Sequence, residues 1–200
     1  MDFAMNNNTS FVTNHICSHK YSFILDNILR RIFQHPKKII SPYIQTGDVV
    51  VDIGCGAGFF SIEMARLVGN RGRVYAVDLQ PEMLEKVNAK SARHHLDHVI
   101  ETVQCEKDDL NLPKDVQADF ILAYYMVHET GAPDSFFRQI EPVLKTDGKF
   151  LVVEPPFHVS AEQFNHMAKS AQNAGFTILD RPRKKGGASL LLGKGQAERH

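Results

Sequence analysis

A short apolar run that breaks into three glycines at alternate positions constrains this chain more than any other feature. Residues 49–53 read Val-Val-Val-Asp-Ile, which is typical of a buried strand, and Gly54, Gly56 and Gly58 follow at once. Helical spacing of apolar residues then resumes over 59–68. Strand, glycine turn and helix in this order predict a nucleotide-binding loop, because glycine has no side chain to keep a ligand away from the backbone.

Two details of the loop indicate which nucleotide it binds. The spacing is G-x-G-x-G, and the bulky Phe59 stands where the dinucleotide fingerprint G-x-G-x-x-G/A has a small residue. Asp52 also lies two positions before the first glycine. A carboxylate there would repel a pyrophosphate, but it suits a ligand with an ammonium group and a sulfonium charge. The loop therefore predicts S-adenosyl-L-methionine, with S-adenosyl-L-homocysteine as the product form.

A second acid supports this prediction. Residues 73–78 are predicted to form the next strand, which ends in Asp78, twenty residues after Gly58. An acid at the end of the second strand is where a ribose diol is held by paired hydrogen bonds. A glycine-rich structural turn would explain neither Asp52 nor Asp78, so the sequence predicts a nucleoside-cofactor site.

Composition limits the kind of protein. Two hundred residues suit one domain, and 23 Lys+Arg against 23 Asp+Glu argue against a surface built to bind nucleic acid. The chain has three cysteines, an odd number, and their spacing is not typical of disulfides. The residues are Cys17, Cys55 and Cys105, and this pattern favours a reducing compartment. No apolar run approaches the ~18 residues that span a bilayer. We expect a cytoplasmic domain with loose residues 1–14 and a core over 47–194.

The alternation of strand and helix patterns predicts an α/β fold. The predicted strands cover 49–53, 73–78, 99–104, 118–124, 149–154, 176–180 and 188–193. The predicted helices cover 19–33, 37–44, 59–68, 82–93, 133–144 and 160–174, and Thr146-Asp147-Gly148 is a predicted turn. This order indicates a doubly wound sheet of seven mostly parallel strands with helices on both faces. The last strand must be antiparallel, because no crossover helix precedes it.

Four segments carry a resemblance to a known family: residues 51–58, 77–84, 142–149 and the strand that ends in Ala123-Tyr124. Their order and spacing resemble the class I S-adenosylmethionine-dependent methyltransferases, over residues from about 20 to 194. The chain is most similar to the small-molecule branch that includes the ubiquinone/menaquinone-biosynthesis type. The resemblance implies a Rossmann-like fold, a small-molecule acceptor and an N-terminal helical lid over 15–46.

The resemblance also assigns the cofactor contacts. It implies Asp52, Gly54 and Gly56 for the methionine part, Asp78 for the ribose hydroxyls, Leu79 and Glu106 for the adenine ring and its amino group, and Tyr124 for a contact through its backbone. Asp108 and Asp109 remain alternatives to Glu106.

The acceptor is expected beyond the carboxyl ends of the central strands. That rule selects Tyr125, His128 and Glu129 after the fourth strand and Glu154 after the fifth. His128 could act as a general base with Glu129 as its orienting acid, or it could line the cofactor pocket in a structural role. If the N-terminal helices form a lid, Tyr21 is a further catalytic candidate and His19 a substrate contact.

Three alternatives remain open from the sequence. His15, Cys17 and His19 could bind a metal ion, but the sequence shows no fourth ligand. We therefore expect no metal site. The basic segment 181–185 is predicted to be a solvated hairpin tip. The alternative is that it contacts an acidic substrate or RNA. The chain could therefore methylate a protein or RNA instead, or bind S-adenosylmethionine without catalysis.

Overall fold

Continuously buried strands form the centre of the molecule. The computed structural model describes residues 35–155, 158–182 and 187–195. In it, β1 (Val49–Ile53) and β4 (Ala118–Tyr124) are buried over nearly their whole length, which agrees with the apolar runs in the sequence. These two parallel strands are neighbours, and the remaining strands extend outward on both sides.

The other described elements alternate along the chain as follows. The strands are β2 (Arg73–Asp78), β3 (Ile100–Gln104), β5 (Leu144–Glu154), β6 (Phe176–Asp180) and β7 (Ala188–Lys194). The helices are α1 (Pro36–Ile40), α2 (Ser61–Val68), α3 (Pro81–Arg93), α4 (Pro133–Ile140) and α5 (Ala161–Asn173), and short 3-10 helices cover Gly69–Arg71, Val127–Glu129 and Glu141–Val143. No helix in the described ranges is both long and apolar enough to cross a membrane.

The strands lie in the order β3-β2-β1-β4-β5-β7-β6. The first five pair in parallel, and β7 runs antiparallel to both β5 and β6. Alternate residues of each strand face opposite sides of the sheet. One face packs on α1, α2 and α3, and the other packs on α4 and α5. The predicted doubly wound α/β fold, with an antiparallel last strand, is confirmed.

Three predicted boundaries were wrong for identifiable reasons. The helix predicted over 37–44 ends at Ile40, shortly before Pro42, which has no N–H to donate. The helix predicted to continue to 144 ends at Ile140 and tightens into a 3-10 turn, because Pro142 cannot bond to the preceding turn. The predicted turn at 146–148 instead lies within β5, whose pairing with β4 is irregular there.

The start of α5 is fixed as the sequence predicts. The Gln163 backbone N–H donates to Ser160 Oγ over 3.2 Å, and the Ser160 N–H donates to Gln163 Oε1 over 2.8 Å. This reciprocal capping box satisfies two backbone donors that the helix itself cannot pair. The capping box therefore fixes the residue at which α5 begins.

Candidate active site

The glycine loop lies at the switch point of the sheet. The chain turns from β1 toward β2 on one side, while β4 lies on the other side of β1. In open α/β sheets the crevice at such a point receives the ligand. Gly54, Gly56 and Gly58 have φ values of 69°, 52° and 77°, a left-handed conformation that favours glycine.

Asp78 ties the glycine loop to the end of β2. The Gly56 N–H donates to its Oδ2 over 2.8 Å, and the Gln80 N–H donates to its Oδ1 over 2.9 Å. The residue is only 8% exposed. A carboxylate has about four lone-pair sites, so two backbone donors leave capacity to accept bonds from a ribose. Asp78 thus stands fixed at the position where the sequence predicts the ribose contact.

Asp52 lies behind the loop. Its side chain is buried and accepts a 2.5 Å hydrogen bond from Ser61 Oγ, at the start of α2. The pKa of Asp52 is raised to about 7, chiefly by burial and to a smaller extent by the nearby Asp78, while the Ser61 hydrogen bond opposes the shift. Because burial destabilises the charged form, a cation near this carboxylate would be favoured. Ser61 is a residue of the site that the sequence did not single out.

The residues predicted for adenine follow β2 and β3. Leu79 is 47% exposed, one of two large apolar side chains left so among the described residues. Glu106 is exposed in the loop after β3, and its N–H donates to the Asp109 carbonyl over 2.7 Å. The Cys105 N–H donates to the Asp78 carbonyl over 3.1 Å, which holds this loop beside the ribose-side acid. Their roles toward a cofactor stay predictions.

Aromatic side chains pack together at the carboxyl end of β4. The ring of Tyr124 lies 4.7 Å from that of Phe60 and 4.3 Å from that of Tyr125, between centroids. Tyr125 has a φ of 60°, which is strained for a bulky residue, and its N–H donates to the Val153 carbonyl over 2.7 Å. Such strain is common where a strand ends at a functional site.

Met126 covers the first glycine of the loop. A Cβ added to Gly54 would lie 3.0 Å from the Met126 Cβ, closer than real Cβ contacts allow without movement. The glycine therefore serves the packing of the β4 loop as well as the approach of a ligand. Sequence spacing gave no signal for Met126, because the contact joins residues 72 positions apart.

A buried carboxylate orients His128. The His128 Nδ1 contacts Glu154 Oε2, and the Val127 N–H donates to the other oxygen of Glu154 over 2.9 Å. Glu154 is fully buried, and burial raises the pKa of its carboxyl while His128 lowers it. The pairing of His128 with Glu129 stays a prediction: the Glu129 Oε1 lies 3.8 Å from Nε2, and its side chain is 75% exposed, whereas Glu154 faces Nδ1.

Several predicted residues lie outside the described part of the chain. These are Tyr21 and His19, together with the rest of the expected lid before residue 35, and the cluster of His15, Cys17 and His19. Within the described residues, no group of three or more His, Cys, Asp or Glu side chains is arranged to hold a metal ion. The site described above consists only of groups after residue 35.

Comparisons with known proteins agree with this geometry. A family model described as "Methyltransferase domain" matches residues 44–189, most of the chain. The demethylmenaquinone methyltransferase of Lactobacillus johnsonii is 30% identical over 112 residues, which are 56% of this chain and 45% of that protein. The ubiquinone/menaquinone biosynthesis C-methyltransferase UbiE of Cellvibrio japonicus is 32% identical over 111 residues, 56% of this chain and 44% of that protein. The chain thus matches about half the length of these curated relatives.

Solved structures share the fold. A SAM dependent methyltransferase from Aquifex aeolicus superposes with a TM-score of 0.73 at 23% identity, and covers 86% of this chain and 96% of its own. The [4+2]-cyclase SpnF superposes with a TM-score of 0.62 at 22% identity, over 73% of this chain and 58% of its own. The second match illustrates that one fold hosts different chemistries. By the match of the family model to residues 44–189, the chain belongs to the methyltransferase domain family of S-adenosylmethionine-dependent enzymes.

Proposed function

We propose that this domain transfers a methyl group from S-adenosylmethionine to a small-molecule acceptor. One observation carries the proposal: the Asp78 carboxylate is fixed by the N–H groups of Gly56 and Gln80 beside a glycine loop at the switch point of the sheet. The names of matching curated relatives add support, since they include methyltransferases of demethylmenaquinone and of 2-phytyl-1,4-naphtoquinone.

The residues present fit this cofactor. A Cβ added at Gly56 would meet no atom within 4 Å, so the loop is open where a ligand would approach it. The exposed Leu79 offers an apolar surface to a purine ring, and the buried Asp52 favours a nearby cation. When bound, S-adenosylmethionine supplies a methyl group activated by its sulfonium and leaves as S-adenosylhomocysteine.

The cofactor contacts in this proposal are those that the family resemblance implies. Asp52, Gly54 and Gly56 hold the methionine part, Asp78 the ribose, Leu79 and Glu106 the adenine, and Tyr124 contributes a backbone contact. The chain itself must bring the acceptor into line and keep water away.

His128 is the proposed proton acceptor. Because Nδ1 faces the Glu154 carboxylate, the neutral ring carries its proton on Nδ1 and keeps a lone pair on Nε2. Nε2 can therefore take the proton of an acceptor hydroxyl, thiol or amine, and Glu154 then stabilises the imidazolium. Glu154 acts through His128 as a positioning residue, whereas Tyr125 and Glu129 remain proposed acceptor contacts.

We also propose that the acceptor is a small molecule and that the protein is cytoplasmic. The equal numbers of basic and acidic residues support an acceptor other than nucleic acid. Two cysteines in the described residues, Cys55 and Cys105, are free thiols, which suits a reducing compartment.

The test is a measurement of S-adenosylhomocysteine formation. The purified protein is incubated with S-adenosylmethionine and, separately, with reduced quinones and phenols, with small thiols and amines, with total RNA and with an unfolded protein mixture. We expect formation above background only with a small-molecule pool. Formation only with RNA or protein would establish a macromolecular acceptor instead. Binding of S-adenosylhomocysteine without turnover in any pool would indicate a non-catalytic protein.

A further inference from the structure

The second half of the glycine loop is in contact with the last turns of α3. The Lys90 Nζ donates to the Ala57 carbonyl, which lies 33 positions earlier in the sequence. Val87 is fully buried three residues before Lys90, on the same face of the helix. Its Cγ2 lies 3.1 Å from the place where a Cβ on Gly58 would stand. Helix α3 therefore meets the loop through one polar and one apolar contact.

We propose that Lys90 is a positioning residue for the cofactor. Its ammonium holds the Ala57–Gly58 peptide in the orientation in which the loop receives S-adenosylmethionine. Lys90 acts through the loop backbone and carries out no chemistry of its own. This role rests on the proposed methyl transfer, because it adds a residue to the cofactor site of that reaction.

The Ala57–Gly58 peptide is hydrogen-bonded at both ends. Its carbonyl accepts from Lys90, and its N–H donates to the Cys55 carbonyl over 3.0 Å. Because a peptide group is planar, these two bonds together fix its rotation about the chain. The next carbonyl, that of Gly58, accepts the Ile62 N–H over 3.3 Å at the start of α2. The chain therefore enters α2 from a peptide that is already fixed.

The Ala57 carbonyl takes its donor from outside the loop. Its bond with Lys90 is partly buried, and a buried carbonyl without a donor destabilises the conformation that buries it. The backbone of α3 cannot supply this donor, because its N–H groups beyond the first turn are bonded within the helix. A lysine side chain reaches from the helix to the loop, and its charge strengthens a hydrogen bond to a carbonyl.

The loop itself resists rotation of this peptide only weakly. Gly56 and Gly58 stand on either side of Ala57, with φ values of 52° and 77°. Glycine adopts many backbone conformations at little cost, so the sequence of the loop alone does not hold its shape. We therefore expect loss of the Lys90 ammonium to let the loop leave the conformation that binds the cofactor.

Helix α3 also joins this part of the loop to the ribose-side acid. The Gln80 N–H, just before the helix, donates to Asp78 Oδ1 over 2.9 Å, and the Gly56 N–H donates to Asp78 Oδ2 over 2.8 Å. Lys90 lies near the other end of the same helix. Acid, helix and loop thus form a closed ring of contacts, in which the lysine bond is one link.

The test is calorimetric titration of the full chain with S-adenosylhomocysteine and, separately, with S-adenosylmethionine. Lys90→Met removes the ammonium and keeps the length of the side chain, whereas Lys90→Arg restores a charged donor. Lys86→Met is the matched control, because it removes an exposed lysine of the same helix, whose Nζ lies 4.0 Å from Met83 Sδ. Cooperative unfolding in urea shows in each variant that the fold is intact.

We expect Lys90→Met to weaken both ligands about five- to twentyfold, by the same factor for each, because the loop contacts a part that the two ligands share. Lys90→Arg should stay within about threefold of the unmodified chain, and Lys86→Met should bind as that chain does.

Three results would overturn the role of Lys90. They are unchanged affinity in Lys90→Met, affinity in Lys90→Arg as low as in Lys90→Met, and tighter binding of S-adenosylmethionine alone in Lys90→Met. The last result would show that the ammonium only repels the sulfonium charge. Failure of the unmodified chain to bind S-adenosylhomocysteine would instead overturn the proposed function itself.

Discussion

Among single residues, Asp78 should contribute most to cofactor binding. Its carboxylate accepts two backbone N–H bonds and still has lone pairs for a ribose. Asp78→Ala should weaken binding of S-adenosylhomocysteine by roughly 1.5–3 kcal/mol, the scale of a charge-assisted hydrogen bond. Calorimetric titration measures the change. The control is Glu101→Ala, an exposed acid 3.9 Å from Arg73, which should bind as the unmodified chain does. Equal affinity in both variants would remove Asp78 from the site.

His128 and Glu154 should act as one unit in turnover. His128→Ala and Glu154→Gln are each expected to lower kcat by about 10²–10⁴, the usual contribution of a general base, and to leave binding of S-adenosylhomocysteine nearly unchanged. Glu129→Gln tests the partner expected from the sequence, whose side chain is mostly exposed. Glu85→Gln, an exposed acid of α3 outside the site, is the control and should leave kcat unchanged. A large loss of kcat in Glu129→Gln with normal turnover in Glu154→Gln would reverse the assignment.

Asp52 should make the ligand-free protein less stable as the pH rises. Burial raises its pKa in the folded protein to about 7, from 3.8. The folded chain therefore holds the proton more tightly than the unfolded chain, so the free energy of unfolding falls between about pH 4 and pH 7 and levels off above. The expected loss is on the order of 1–4 kcal/mol.

The measurement is urea unfolding of the ligand-free chain at pH 5 and at pH 8, compared with Asp52→Asn, which cannot ionise. We expect the difference between the two pH values to be smaller in the variant. An identical difference in both proteins would show that Asp52 contributes nothing to the pH dependence, and that its carboxylate is not destabilised by burial.

At the scale of elements, the start of α5 can be tested by its cap. Ser160→Ala removes the acceptor for the Gln163 N–H and should cost about 1 kcal/mol of unfolding free energy. Asn165→Ala, at an exposed interior position of α5, is the control and should be neutral or slightly stabilising, because alanine favours helix interiors. Urea unfolding measures both. Equal stability of the two variants would contradict the role of the cap.

Local patterns predicted most elements well, since strands β2, β4 and β6 begin and end where their apolar runs do. The errors arose where a proline or the pairing of strands decided the outcome. Pro142 stops α4, and the start of β5 depends on its contact with β4. Neither the end of α4 nor the start of β5 is visible in the spacing of apolar residues along the sequence.

The site was predictable only in part for a related reason. The glycine loop, Asp52 and Asp78 are revealed by their positions at strand ends. The contact of His128 with Glu154 joins residues 26 positions apart and depends on the register of β4 against β5. The Gly54–Met126 contact likewise requires the folded backbone.

At the scale of the whole molecule, the sheet order places the carboxyl ends of β1, β2 and β4 around one crevice. The β5 end adds Glu154, so one edge of the sheet holds both the glycine loop and the His128 dyad. The family assignment rests on residues 44–189. The expected division into loose residues 1–14, a lid over 15–46 and a core over 47–194 remains our proposal.

Whether the glycine loop binds a methyl donor can be measured by calorimetric titration of the purified chain with S-adenosylhomocysteine, with NAD and ATP as comparison ligands. We expect S-adenosylhomocysteine to bind with a Kd on the order of micromolar, and NAD and ATP to show no measurable binding. A preference for NAD, or no binding of S-adenosylhomocysteine, would contradict the assignment of Asp52, Asp78 and the glycine loop to a methyl-donor site.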